Sequence, residues 1–243
     1  MSKSTRNPLE HKVTQSNFII KRSQGLTLPE KRVIALAISK LDSLRTVPQK
    51  SYETGHTIEV SVDDFKTTYP ETDSPYRVLC DASKSLLSKV ITEPESEQKN
   101  RKSYQWCMRA EYVPGEAKVL LTIHPDVMPH LCYLRQQFTT YKLKETANLR
   151  SLNSWRLWEL LQQFKKTGWL DITVDDFHES METSPSIRTN FSLLRKKVIE
   201  PAIKELEEKN SVKIAFETKK TGRKITSITF HFKPDTQREL DLV

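Results

Sequence analysis

Glycine is scarce in this chain, with 5 in 243 residues. Because glycine is the residue that takes left-handed backbone without steric cost, the shortage argues against glycine-rich phosphate loops and against a fold of many tight turns. Cysteine is scarcer still. Cys80, Cys107 and Cys132 are too few and too scattered for a disulfide framework or a zinc knuckle, and the expectation is buried free thiols in a reducing compartment. No apolar run approaches membrane-spanning length, and Met1-Ser-Lys-Ser-Thr-Arg-Asn-Pro lacks the apolar core of a secretory signal, so a cytoplasmic location is expected. Signatures of catalysis are missing too. The six histidines, His11, His56, His124, His130, His178 and His231, form no His-apolar-His element that could hold a metal beside a nicking tyrosine, and no Gly-x-x-x-x-Gly-Lys-Ser/Thr loop occurs. Neither enzymatic chemistry nor a cofactor is expected.

Positive charge is what the chain has in excess. Lys and Arg number 39 against 31 Asp and Glu, a net charge of +8 and a pI near 9.3, which favours a polyanionic partner. With 36% hydrophobic and 29% charged residues in 28.3 kDa, the chain can bury one large core or two ordinary ones.

Residues 1–17 are polar and aperiodic and read as a mobile basic arm, with Phe18-Ile-Ile-Lys-Arg as a short strand or lead-in. A helix follows from Leu28, capped by Thr27, with Val33, Ile34, Ala37, Ile38 and Leu41 inward. Residues 46–57 read as a loop, Ile58-Glu-Val-Ser-Val as a strand, Asp63-Asp64-Phe as the opening of a helix, and residues 77–91 as a longer helix. The charged residues 93–102 read as an exposed loop, and residues 103–112 and 118–123 as a hairpin. Val127, Leu131, Leu134 and Phe138 recur at helical spacing, so residues 125–144 read as a helix. A further helix over residues 153–166 is apolar around much of its circumference and ends at Gly168.

The order then repeats. Leu170-Asp-Ile-Thr-Val-Asp-Asp-Phe echoes Ile58-Glu-Val-Ser-Val-Asp-Asp-Phe, Ser184-Pro185 echoes Ser74-Pro75, and Lys197-Val-Ile-Glu-Pro echoes Lys89-Val-Ile-Thr-Glu-Pro. Two similar domains from an internal duplication are the economical reading. The paired aspartates, which could be taken for metal ligands, are read as N-terminal helix caps because they recur ahead of a helix. Helix, strand, helix, helix and hairpin is the order of a winged helix, giving an α+β chain of two tandem winged-helix domains. The expected boundaries are residues 18–145 and 146–235, with a tail over 236–243.

In the second copy a single helix is expected from Ser184 through Leu206. Phe191, Leu194, Val198 and Ala202 form its inward stripe, Thr189, Ser192 and Lys196 point outward, and Arg188, Asn190, Arg195 and Lys197 flank that face. Short hydrogen-bonding side chains beside long cations are the types that meet base edges and phosphates. Most basic amphipathic helices are only solvated surfaces, and most charged hairpin tips only aid solubility. Here Lys219, Lys220, Arg223 and Lys224 surround a turn that the winged-helix order places beside the basic helix, so a shared electrostatic surface is expected. The equivalent helix of the first copy carries Arg77, Lys84 and Lys89, along with Asp81.

Gln15-Ser-Asn-Phe-Ile-Ile, Leu26-Thr-Leu-Pro-Glu-Lys-Arg, the hairpin segment from Trp106 to Ile123, Pro129-His-Leu-Cys-Tyr-Leu-Arg-Gln-Gln-Phe-Thr-Thr-Tyr, Asn153-Ser-Trp-Arg-Leu-Trp-Glu-Leu-Leu and Phe191-Ser-Leu-Leu-Arg-Lys-Lys-Val-Ile-Glu-Pro-Ala-Ile-Lys-Glu-Leu occur in that order. Together they resemble the replication initiator (Rep) proteins of iteron-containing, theta-replicating plasmids, over nearly the whole chain. The resemblance implies binding to double-stranded DNA: iterons at a plasmid origin as a monomer and an inverted repeat at the protein's own promoter as a dimer. It further implies host partners such as a helicase and the chromosomal initiator. The first domain would dimerise and contact the DNA backbone, whereas the second would read sequence through Arg188, Asn190, Arg195, Lys196 and Lys197. The first hairpin departs from this pattern, because Glu111 and Glu116 beside Pro114-Gly115 oppose phosphate binding. A duplicated winged-helix transcription regulator without a replication role, and a protein-interaction module, are the rival readings.

Overall fold

The computed structural model describes residues 7–43, 47–93 and 102–234. It divides into two compact units, Met1–Asn148 and Leu149–Val243.

In the first unit, β1 (Lys12–Ser16) pairs antiparallel with β7 (Phe138–Lys142), Lys12 opposite Lys142. Helices α1 (Asn17–Ile20), α2 (Leu28–Ile38) and α3 (Ser51–Thr54) precede β2 (His56–Ser61), and α4 (Val62–Thr68) and α5 (Pro75–Ser85) follow it. A 3-10 turn, Leu86–Ser88, leads into β3 (Val90–Thr92), which pairs with β4 (Ser103–Gln105). Strands β5 (Cys107–Val113) and β6 (Lys118–Ile123) make the hairpin, and the sheet order is β2-β6-β5. The short α6 (Lys144–Ala147) ends the unit. The second unit runs α7 (Leu152–Gln162), β8 (Trp169–Thr173), α8 (Val174–Ser180), α9 (Pro185–Arg188), α10 (Phe191–Leu194), a π-helical turn (Arg195–Ile199) and α11 (Glu200–Asn210). The hairpin of β9 (Val212–Thr221) and β10 (Lys224–Pro234) closes it, with sheet order β8-β10-β9.

In both sheets the strand before the helix pair joins the last strand of the hairpin, so the two units share one winged-helix topology. The local chemistry repeats as well. The Ser61 hydroxyl accepts from the Asp64 amide at 3.0 Å and the Thr173 hydroxyl from the Asp176 amide at 3.1 Å. The hydroxyls are therefore the caps, and the aspartates sit in the first turn, where carboxylate charge favours the helix dipole. Asp64 also pairs with Lys40 at 2.5 Å. Helix α2 starts where expected, with Glu30 Oε2 accepting from the Thr27 amide at 2.7 Å. Val33, Leu36, Leu79 and Trp106 are fully buried, and the Trp106 indole N–H donates to the Gln24 carbonyl. The second core is aromatic, and Phe177 and Phe216 flank Phe230 at 5.6 and 6.0 Å.

Several sequence expectations are corrected. Residues 1–6 of the expected arm, most of the charged run at 94–101 and the tail at 236–243 lie outside the described residues. The rest of the arm is folded: Val13, Thr14, Gln15 and Ser16 are buried in β1. Glu10 bridges Lys142 and Lys144 at 2.8 Å each, and these hydrogen bonds pull its carboxyl down to about 2. Phe18 lies in helix α1, not in a strand. Residues 46–57 hold α3 and the start of β2. The helix expected over 77–91 ends at Ser88, and Val90 and Ile91 join a strand instead. Consequently Lys89-Val-Ile is extended whereas Lys197-Val-Ile is helical, and that echo joins unlike structures. Only β5 and β6 form the first hairpin, since β4 pairs with β3. Residues 125–144 are not one helix, because Pro129 interrupts a 3-10 segment (Pro125–His130) and β7 then pairs with the distant β1. Cys107 and Cys132 are buried, which pushes their thiols up to about 12 and 11, while Cys80 on α5 is half-buried.

Candidate nucleic-acid interface

The expected reading helix of the second unit is broken. Asn190 has extended backbone, φ −140° and ψ 101°, and separates α9 from α10. Its Oδ1 accepts from the amides of Ser192 at 2.9 Å and Leu193 at 3.3 Å, so the side chain caps α10 instead of reaching outward. Arg188 is likewise drawn onto its own turn. Its Nε donates to the Thr183 carbonyl at 3.1 Å and its Nη2 to the His178 carbonyl at 3.4 Å. Both residues brace the helix start, and both are also exposed.

Beyond that break the expected stripe holds. Leu194, Val198 and Ala202 are buried and Phe191 is half-buried, while Ser192, Arg195, Lys196 and Lys197 are exposed. Pro201 has no amide hydrogen to donate back to the preceding turn, and the helix widens into its π turn over the residues just before it. Arg195, Lys196 and Lys197 all lie in that turn. The Arg195 guanidinium sits 5.7 Å from the centre of the Phe216 ring, with Nε 2.6 Å from Glu200 Oε1. Two interactions therefore hold this side chain, which is still 58% exposed. Lys196 and Lys197 make no ion pair among the described residues.

The wing strands run almost to its tip. Thr221 pairs with Lys224, so the turn is only Gly222-Arg223, with Gly222 at φ +62°. Lys219 and Lys220 thus belong to a strand and project to opposite faces. Ile225 lies opposite Lys220, and a bulge at Thr226 restores the register so that Ser227 lies opposite Lys219. Lys220 and Ile225, with Phe191, Ser192, Arg195, Phe216, Glu217 and Thr218, line an open groove of about 500 Å³ in which Glu217 is the one acidic residue. Lys219, Arg223 and Lys224 are exposed around the tip and unpaired among the described residues.

The equivalent surface of the first unit is largely neutralised. Arg77, 82% exposed, faces Asp81 at 3.5 Å one turn along α5. Lys89 lies beyond the helix and reaches back 3.4 Å to the buried Glu30. Lys84 alone of the three is exposed without an ion pair among the described residues. On the wing, Arg109 pairs with Glu111, and Lys118 with Glu59 and Glu116. Tyr76 of α5 meets Tyr112 of β5 edge-on at 5.1 Å, and their hydrogen bond helps push the Tyr112 hydroxyl up to about 12.

Sequence reasoning missed Glu200, Phe216 and Ile225. An apolar residue on the wing reads as core, and the Arg195–Glu200 spacing of five is not one of the standard helical pairings; it becomes close here in the π turn.

Two models of a single family cover most of the chain. One, described as "Initiator Replication protein, WH1", matches residues 12–162, and the other, "Initiator Rep protein, WH2", matches residues 173–232. The chain belongs to the Rep family of replication initiators. A Rep chain with two winged-helix domains is what the topology shows, although the WH1 match extends over α7, which packs on α11 in the second unit. An Escherichia coli protein described as "Uncharacterized 27.6 kDa protein" is 24% identical over 225 residues, covering 89% of this chain and 93% of that one. The fold matches the crystal structure of the Pi initiator protein in complex with iteron DNA with a TM-score of 0.77 at 20% identity, over 94% of this chain and 99% of that chain.

Proposed function

We propose that this Rep chain initiates plasmid replication by binding iterons, with the second winged helix reading the sequence and the first adding weaker backbone contact. The observation that carries this reading is the groove between α10 and the wing, bounded by Arg195 and Lys220 and flanked by unpaired Lys196, Lys197, Lys219, Arg223 and Lys224. Cations on both sides of a groove release counterions from DNA phosphates, and the terminal nitrogens of Arg195 form the fork that pairs with a guanine edge. Family membership and the shared fold of an initiator solved with iteron DNA support the same partner. Adjacent bound copies would bend the origin so that an A/T-rich segment opens, with host proteins such as the helicase and chromosomal initiator recruited there. The same surface, in a dimer, would bind an inverted repeat and repress the protein's own gene.

Footprinting the purified protein over DNA flanking its gene tests this directly. Protected direct repeats, together with loss of plasmid maintenance when the gene is deleted, are expected. A plasmid that replicates without the protein while its promoter still responds would make the chain a transcription regulator instead. A specificity ratio near one at physiological salt would leave only a protein-interaction module.

A further inference from the structure

Helices α2 and α7 both span eleven residues, and the fifth residue of each is an arginine, Arg32 and Arg156. Each reaches the turn that precedes the reading helix of its own unit. Arg32 Nη1 donates to Thr72 Oγ1 at 3.3 Å, and its guanidinium lies 5.1 Å from the centre of the Tyr69 ring. Arg156 is 5% exposed and meets Glu182 Oε1 at 2.5 Å, with its other terminal nitrogen 3.5 Å from the Ser180 carbonyl. The duplication thus preserves an arginine brace that composition and motif spacing did not reveal.

The second-unit turn carries more than this pair. Glu182 has φ +48°, a left-handed backbone that glycine or asparagine takes at less cost. A glutamate there supplies the carboxylate that Arg156 meets. From the α8 side, buried His178 Nδ1 lies 2.6 Å from Thr183 Oγ1, and from α9 Arg188 holds the Thr183 and His178 carbonyls. Side chains of α7, α8 and α9 are therefore tied to Glu182 and Thr183 of the turn and to the carbonyls at the end of α8. The chain leaving that turn passes through the Asn190 cap directly into α10.

We infer that Arg156 and Glu182 are positioning residues for sequence reading: their part-buried ion pair fixes the turn angle at which α10 and the π turn after it present Arg195 and Lys196 to a base edge. Base contacts require alignment of the donor fork, whereas phosphate attraction tolerates displacement. Loosening the brace should therefore damage selection more than hold. This inference rests on the proposed DNA reading by the second unit.

The test compares affinity for an iteron-containing duplex with affinity for a scrambled duplex, for the full-length protein, Arg156→Lys and Glu182→Gln. Circular dichroism and thermal melting confirm that each variant is folded at the assay temperature. Lysine keeps the charge but loses the two-point grip, and Glu182→Gln keeps the shape but loses the charge, so one variant remains informative if the other fails to fold. The expected result is a fall of about tenfold in the iteron-to-scrambled ratio, the scale of one lost bidentate base contact, with scrambled affinity and salt slope unchanged. A merely structural role lowers the melting temperature and leaves the ratio of the folded protein intact, and that result overturns the inference. Equal losses on both duplexes overturn it as well. Arg195→Ala in the same assay separates the two levels: if its ratio is unchanged, the base-reading proposal itself has failed, independently of the brace.

Discussion

The two winged helices of this chain have the same topology and the same capped first turns, yet their charges have opposite fates. In the first unit Arg77 meets Asp81, Lys89 meets Glu30, Arg109 meets Glu111, and Lys118 meets Glu59 and Glu116. In the second, Arg195 meets Glu200, but Lys196, Lys197, Lys219, Lys220, Arg223 and Lys224 remain exposed and without ion pairs among the described residues. Counting cations alone would miss the difference, because a lysine already beside a carboxylate attracts little further anionic charge. Duplication supplied one scaffold twice, and the placement of acids leaves more free positive charge on the second copy than on the first.

The largest expected effect breaks the comparison from the second unit's side. Replacing Lys219, Lys220, Arg223 and Lys224 together with alanine should reduce the slope of log affinity against log salt by about 3 to 4, roughly 0.9 per phosphate contact. Fluorescence anisotropy titrations from low to moderate salt would measure it, and an unchanged slope would remove the wing from the interface. Next, Glu111→Gln with Glu116→Gln should release Arg109 and the tip side of Lys118 and make the first wing resemble the second. A rise in slope of about 1 is expected in the same titration. If the slope stays flat, acidic neighbours are not what silences that wing.

Smaller effects concern the supports of the reading helix. Asn190→Ala should destabilise the protein by about 1 kcal/mol, the usual cost of an N-cap, in a chemical denaturation experiment. A loss of DNA affinity with no loss of stability would instead mark Asn190 as a DNA contact. Smallest is a pH effect at His178, which is 3% exposed and whose imidazole is pushed below its ordinary value of 6.5 by burial and then by Arg188. The folded state resists protonation that the unfolded state accepts, so the contribution is present above about pH 6.5 and is lost as pH falls through the lowered folded value. His178→Gln should flatten the dependence of melting temperature on pH below that point. In the first unit the corresponding window is more acidic: the Glu10 bridge to Lys142 and Lys144 weakens as pH falls from the ordinary 4.5 toward about 2.

How much of this was legible in sequence follows from the range of the interactions. The stripe Leu194, Val198, Ala202 and the repeated Val-Asp-Asp-Phe turns depend on spacing within a few residues, and both were readable. Residues 125–144 misled because Val127, Leu131, Leu134 and Phe138 imitate helical spacing, while the pairing of β7 with β1 spans more than a hundred residues. Arg188 and Asn190 were legible only in part: residue type shows polar side chains suited to DNA, but not the backbone contacts that they make at Thr183, Ser192 and Leu193. Lys89 carried the correct charge and lay past the end of its helix, a boundary that periodicity leaves uncertain by several residues. The wing cations, by contrast, needed only a turn and a hairpin to be placed.

The central claim is that the second unit selects sequence and the first does not. Measuring Arg195→Ala and Arg77→Ala side by side on iteron and scrambled duplexes tests it most directly. The account predicts that Arg195→Ala weakens iteron binding by about 1 to 3 kcal/mol and leaves scrambled binding nearly unchanged, while Arg77→Ala moves both only slightly. Equal losses on the two duplexes for Arg195→Ala, or a larger loss of selectivity for Arg77→Ala, would contradict it.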